Sequence, residues 1–353
     1  MLYIILAILM FGLLIAVHEF GHFSVAKLCG VRVNEFSIGM GPLLLHKQGK
    51  ETEYSLRLLP IGGFCAMEGE DEASDDPRAF GNAAGWKRFL ILVAGSAFNF
   101  LLGLLIMLCV YSTVQSYVTP QISGFMEGNP CDSKEYLQEG DIIYSINGSR
   151  ILVYSDVTIL LSLNSGDTVE MTVLRDGEKI HFDALPLALR EYTVDGETVT
   201  KYGLYFTTAE AGLLDRIQLG LASTVDCVRQ VWWSLKMLIN GQAGFSDLSG
   251  PIGIVDSMAQ VGEASASTVD ALLNLLYFAG FIAINLAVMN LLPIPALDGG
   301  RVFFLLVNGV LTLVIHRQIP AKYEGIVHAV GMVLLLTLMV AVAVQDVWRI
   351  VAQ

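Results

Sequence analysis

Four segments of this chain, roughly residues 2–24, 89–111, 271–293 and 326–345, are apolar over the length that a helix needs to cross a bilayer, about 20 residues. A lipid-spanning segment must satisfy its own backbone, so the fold is restricted to helices packed in a membrane plus whatever lies between them. Composition agrees. Of 353 residues, 54% are hydrophobic and only 16% charged, against about 25% charged in soluble domains. A formal charge of −13 leaves no basic stripe to neutralise phosphates, so no nucleic-acid partner is expected. Cys29, Cys65, Cys109, Cys131 and Cys227 form no CxxC pair and read as small buried hydrophobes.

The first span carries no charge from Leu2 to Val17 and then runs into His18-Glu19-Phe20-Gly21-His22. On a helix, positions i and i+4 share a face, so both imidazoles can reach one metal ion with the glutamate beside it. In a soluble helix such a run also arises by chance. At membrane depth, ionisable groups are expensive and mark function. No Lys or Arg precedes Lys27 and no A-x-A-like site follows, so this segment is expected to be a retained helix rather than a signal peptide.

Basic residues set the orientation. Lys27, Arg32, Lys47, Lys50, Arg57, Arg78, Lys87 and Arg88 lie between the first two spans, and Arg301, Arg317 and Lys322 between the last two. The positive-inside rule then places both termini outside and HEFGH near the cytoplasmic end of its helix. Residues 33–65 read as strands, with a hairpin tip at His46–Lys50 and an end at Pro60, Gly62 and Gly63. Such an edge can pair with an extended substrate. The acidic run Glu68–Asp76 reads as a solvated loop, and turn signals divide 117–190 into short strands. Residues 211–240 repeat apolar positions at helical spacing but include Arg216, Asp226, Arg229 and Lys236, with Trp232-Trp233. They read as an interfacial amphipathic helix. In the third span, Asn274 and Asn285 read as interhelical glue.

A catalytic zinc takes three protein ligands and keeps one position for water. His46, His181 and His316 fall in unsuitable places. His328, early in the fourth span, reads as a packed residue and stays open as an alternative ligand. The better third candidate is Asp298 in Asn290-Leu291-Leu292-Pro293-Ile294-Pro295-Ala296-Leu297-Asp298-Gly299-Gly300, where two prolines end a span and a carboxylate returns to the side of HEFGH.

These motifs resemble the bacterial site-2 proteases, intramembrane zinc metalloproteases of the RseP/RasP type. HEFGH matches the family's HExxH, and Asn290 through Gly299 its N-x-x-P-x-P-x-L-D-G. Gly39-Met40-Gly41, Pro60-Ile61-Gly62-Gly63 and Gly250-Pro251-Ile252-Gly253-Ile254 follow in the expected order. Leu137 through Gly148 resembles the PDZ pattern, over about Ile122 to Leu187. Ala94-Gly95-Ser96-Ala97-Phe98-Asn99 departs from the usual Gly-Pro but keeps Asn99.

The resemblance implies a polytopic α-helical membrane protein with four transmembrane helices, a membrane-associated β-hairpin region and an inserted extracytoplasmic PDZ (α+β) domain. The expected order is a first transmembrane helix with HExxH (1–30), the hairpin region (31–66), a cytoplasmic loop (67–88) and a second transmembrane helix (89–115). The PDZ domain (116–190), an interfacial helix and linker (191–270) and a third transmembrane helix with the LDG motif (271–297) follow. A cytoplasmic loop (298–325) and a fourth transmembrane helix with the C-terminus (326–353) complete it.

It further implies Zn²⁺ on His18, His22 and Asp298, Glu19 as general base, and substrate contacts at Asn290, Gly39, Gly41 and Pro293. Asn290 reads either as an oxyanion donor or as a packing amide. Substrates would be pre-trimmed single-span transmembrane proteins, such as anti-sigma factors and remnant signal peptides, in the lipid bilayer of a bacterial cytoplasmic membrane, with peptide ends bound at the PDZ domain. The competing expectation is a membrane-anchored PDZ scaffold with a non-catalytic zinc site. A zinc transporter would want ligands strung across the bilayer, and only one cluster is visible.

Overall fold

The computed structural model describes residues 2–70, 72, 74–164, 166–194, 197–244, 247–317 and 319–351. Asp71, in the acidic run, and Ser165, in one expected turn, lie outside them. In chain order the elements are α1 (Leu2–Cys29), β1 (Val33–Gln48), β2 (Glu53–Met67), α2 (Gly85–Ser112), β3 (Ser116–Phe125), β4 (Ile142–Ile146), β5 (Ser149–Arg150) and α3 (Tyr154–Ser162). They continue as β6 (Val169–Arg175), β7 (Glu178–Leu185), β8 (Arg190–Val194), β9 (Glu197–Lys201), β10 (Leu204–Glu210), α4 (Leu213–Ile239), α5 (Pro251–Glu263), α6 (Thr268–Asn290), α7 (Asp298–Ile315) and α8 (Ala321–Val351). The chain divides into two compact units, residues 1–107 with 227–353, and residues 108–226.

In the first unit α1 is held at both ends. Ala7 and Leu14 pack with Met258 of α5 and Leu275, Ile282 and Ala283 of α6. Ala26 packs with Val33 and Phe36 of β1, Cys65 and Met67 of β2, and Ile91 and Leu92 of α2. The HEFGH turn lies between these two apolar clusters. Elsewhere the helices are inside out by the standards of a soluble protein. Val333, Leu334, Val340 and Val344 of α8 are all more than half exposed, as lipid-facing side chains are.

The strands β1 and β2 pair antiparallel, from Gln48↔Glu53 to Leu45↔Leu56 at the expected tip and through Phe36↔Cys65, Ser37↔Phe64 and Ile38↔Gly63 at the base. The register also sets Glu35–Ile38 beside Glu53–Leu56, so that stretch has a neighbour on each side. Doubling back requires sharp bends. Gly39 and Gly41 have φ +85 and +82, and a Cβ on Gly39 would stand 2.7 Å from the Leu59 carbonyl oxygen. Pro60, Gly62 and Gly63 do not end β2 as expected. With Gly62 at φ +97 they bend it, and pairing resumes at Gly63.

The second unit is a six-stranded sheet in the order β10-β3-β4-β6-β7, with β5 on β4. Ile122, Ile143, Ile146, Met171 and Val173 are buried on it together with Val157 and Leu160 of α3. The expected boundary at 190 falls short. The chain leaves by the β8–β9 ribbon and returns as β10, which pairs with β3 from Leu204↔Phe125 to Glu210↔Ser116. The Leu-Tyr-Phe-Thr-Thr run at 204–208 carries that strand, and the turn-rich stretch before it obscures the signal.

Five helices among the described residues are long and apolar enough to cross a membrane. Four contain the expected spans. The fifth, α7, occupies the segment expected as a loop, 298–325. Pro293 and Pro295 break α6, but Asp298 opens a new helix whose sole charged side chains, Asp298 and Arg301, lie in its first turn. Gly299 and Gly300, in the segment expected as a loop, serve close packing. A Cβ on Gly299 would stand 2.2 Å from the Leu292 carbonyl oxygen.

One ion pair anchors the sheet of the second unit. Asp141 is fully buried and receives Arg175 Nε at 2.7 Å and Nη2 at 2.8 Å, plus the backbone N–H of Gln138 at 2.9 Å. The hydrogen bond to Asp141 raises the pKa of Arg175 further above its usual value. Breaking a buried pair strands the other charge, so Asp141→Ala is expected to destabilise this unit by about 3–5 kcal/mol. Amide exchange in β4 and β6 of the full-length protein should rise accordingly. Unchanged protection would show that the pair contributes little.

Candidate metal centre

His18 and His22 sit one turn apart on α1, and both direct Nε2 to the same point. The two Nε2 atoms are 3.2 Å apart, and each is 3.2 Å from Oδ2 of Asp298. Ligands at about 2.0–2.1 Å around a tetrahedral zinc stand roughly 3.3 Å from one another, so this triangle has the right size. The donor set, two imidazoles and a carboxylate, is that of a catalytic zinc site. The fit is good without rearrangement.

The outer nitrogens are oriented by α2. Nδ1–H of His22 donates to the Ile91 carbonyl at 2.8 Å, which leaves Nε2 unprotonated and able to bind metal. The amide of Asn99, almost wholly buried, lies 3.5 Å from Nδ1 of His18. The amide nitrogen is the atom that faces the ring, while the buried Oδ1 has no hydrogen-bond partner among the described residues. An exchange of the two amide atoms would set Oδ1 as acceptor for Nδ1–H, as the Ile91 carbonyl is for His22. The helices meet backbone to backbone here. A Cβ on Gly21 would stand 2.6 Å from the Ala94 carbonyl oxygen, and one on Gly95 only 2.3 Å from His22 Nε2.

Glu19 is half-buried, within electrostatic range of His22, His18 and Asp298. Strand β2 passes directly against it. A Cβ on Gly63 would stand 3.3 Å from Glu19 Cγ. Asp298 arrives from the other direction. Asn290 ends α6, and after a loop interrupted by Pro293 and Pro295 the carboxylate opens α7. Arg301, one turn on, is ion-paired with Glu70 in the loop after β2.

The structure thus brings His18, His22 and Asp298 together with Glu19 alongside. Among the described residues they form the single His, Cys and carboxylate group able to hold a metal. His328 is not in it; its Nδ1 receives the N–H of Ala296. Asn290 is half-buried and Pro293 exposed, both on the segment leading to Asp298. Gly39 and Gly41 pack on Leu59 and Arg57 at the bend of β1, and Gly63 makes the contact with Glu19. Sequence reasoning missed Ile91, Gly95 and the orienting place of Asn99. The signal for the last was a polar amide retained inside an apolar span.

A family model described as Peptidase family M50 matches residues 6–338. The chain is 35% identical over 350 residues to a protein of Clostridium acetobutylicum named as a zinc metalloprotease, covering 98% of this chain and 97% of that one. It is 36% identical over 348 residues to one so named in Clostridium perfringens, covering 98% of each. The regulator of sigma-W protease RasP of Bacillus subtilis is 29% identical over 430 aligned positions, again covering 98% of each chain. With the HExxH helix, the distant carboxylate and the apolar helices in place, the chain belongs to peptidase family M50, the zinc-dependent site-2 proteases.

Proposed function

We propose that this chain is an intramembrane endopeptidase that cleaves transmembrane segments of pre-trimmed single-span proteins, anti-sigma factors and remnant signal peptides among them, in regulated intramembrane proteolysis. The observation that carries the reading is Glu19, a carboxylate that ligates nothing, set between the three-donor cluster and the Gly63 edge of β2. The name of the Bacillus subtilis relative, a regulator of sigma-W, agrees with a substrate in sigma-factor control.

On this reading His18, His22 and Asp298 are the zinc ligands. Zinc held there supplies a water acidic enough to lose its proton near neutrality and a Lewis acid for the scissile carbonyl. Glu19 takes the proton of the attacking water and returns it to the leaving amine. The Asn290 amide, at the end of α6 before the segment that carries Asp298, would donate to the developing oxyanion. A helical substrate shields its carbonyls in its own hydrogen bonds, so it must unwind locally. The bent sheet of β1 and β2, with Gly39 and Gly41 at one bend, offers the released strand an edge to pair with. Pro293 keeps the facing segment non-helical.

The basic residues between α1 and α2 support an active site at the cytoplasmic end of α1, in the bacterial cell membrane, with the N-terminus outside. The Arg301–Glu70 pair supports the start of α7 on that same side. Helix α4, with Leu213, Ile217 and Leu221 exposed and Arg216 and Arg229 among them, fits the headgroup region. The unit of residues 108–226 is a PDZ-type domain, binds peptide ends and acts as a filter against untrimmed ectodomains.

Glu19→Gln is expected to retain zinc and lose cleavage of a trimmed single-span substrate by 100-fold or more, about the contribution of a general base. Full activity in a reconstituted assay would sink the mechanism. Asp298→Ala is expected to lose zinc, as measured by metal content after dialysis. Gly95→Ala should lose it too, because its methyl occupies the space of His22 Nε2. The filter has its own test. Because β10 pairs with β3, the deletion must remove 116–210, and the shortened protein should then cleave full-length and trimmed substrates at similar rates. A persistent preference for trimmed substrate would refute the filter.

A further inference from the structure

Ala296 is one of four non-glycine residues with positive φ among those described, at +75, and it stands two residues before Asp298. Alanine resists that conformation because its Cβ crowds the backbone carbonyl. Something outside the loop must hold it there. Its N–H donates to Nδ1 of His328 on α8 at 3.0 Å. The same ring packs on Phe304 of α7, with centroids 5.6 Å apart, and a Cβ on Gly300 would stand 3.2 Å from its Cε1. One turn further along α8, a Cβ on Gly331 would stand 2.4 Å from Cβ of Pro295. Helix α8 and the loop therefore meet at two contacts, a backbone-tight one at Gly331 and a polar one at His328.

We propose that His328 is a positioning residue that holds Ala296 in its left-handed conformation and thereby aims Asp298 at the metal site. The imidazole bridges the loop, α7 and α8 and ligates no metal itself. This inference rests on Asp298 being the third ligand. It gives α8, which contributes nothing to the cluster, a part in building it. An outer partner that orients a ligand changes metal affinity by about 10- to 100-fold, and that is the effect to look for.

The test uses the full-length protein in detergent, with zinc affinity read by competition with a chelator and amide exchange at residue 296 read in metal-free protein. His328→Leu is expected to weaken zinc binding about 10- to 100-fold and to deprotect the amide of residue 296. His328→Asn sets an acceptor oxygen near the place of Nδ1 and should retain both to within a few-fold. Ala296→Gly should restore most of the affinity in the His328→Leu background, because glycine adopts this φ without strain. Should His328→Leu fail to fold, His328→Phe, an aromatic ring that lacks an acceptor, replaces it with the same expectation. If leucine preserved both readouts, or glycine restored nothing, the positioning role would be wrong. Loss in His328→Asn equal to that in Asp298→Ala would make His328 a ligand and overturn it likewise. Zinc retained in Asp298→Ala would instead overturn the reading of the centre, while the exchange measurement still decides whether His328 holds the loop.

Discussion

The crossing of α1 and α2 at Gly21 and Gly95 is the contact on which the rest of the centre depends. Two apolar helices in lipid gain little from the hydrophobic effect, so they must associate by close packing, and glycine permits the closest approach. The same approach has a chemical result. It brings the Ile91 carbonyl to His22 and the Asn99 amide to His18, so the imidazoles are oriented before any metal arrives. A side chain at 95 would occupy the coordinating nitrogen's own space. Packing and the orientation of the imidazoles are therefore one constraint here.

Much of this was legible in the sequence because it depends on local pattern. HEFGH on an uncharged helix and the carboxylate after Pro293 and Pro295 picked out the three residues that converge. The four longest apolar runs marked α1, α2, α6 and α8, but α7, which Asp298 opens, was expected as a loop. What was not legible depends on partners distant in sequence. Ile91 contributes a backbone carbonyl, which leaves no trace in residue type. Gly299 and Gly300 say little by themselves because glycine serves both turns and tight packing, and only the Leu292 and Ile294 carbonyls above them distinguish the two. The bends of β2 and the return of β10 are likewise tertiary facts. Alternation marks a strand, but not which strand it pairs with.

The loop before Asp298 shows how a membrane protein can place a carboxylate with little freedom. Holding a non-glycine residue in the left-handed region costs about 1–3 kcal/mol, which surrounding structure must offset. Here the prolines exclude a helical alternative, and α8 supplies an acceptor for Ala296. Losing that acceptor would leave the Ala296 N–H without the partner that holds it as well as a strained backbone. The two effects act in the same direction on a segment that ends in Asp298.

The position of Glu19 weighs against a scaffold with a structural zinc. A structural site is closed by four protein ligands, whereas three donors converge here among the described residues, and a second carboxylate, Glu19, stands beside them facing Gly63. A half-buried carboxylate in an apolar helix is a liability to stability and remains only where its charge is used. The strand that covers it presents a glycine, the one residue that lets a backbone approach so closely. A carboxylate, three converging donor atoms and a strand in contact at Gly63 form the arrangement that peptide hydrolysis would require, and a scaffold would have use for none of them together.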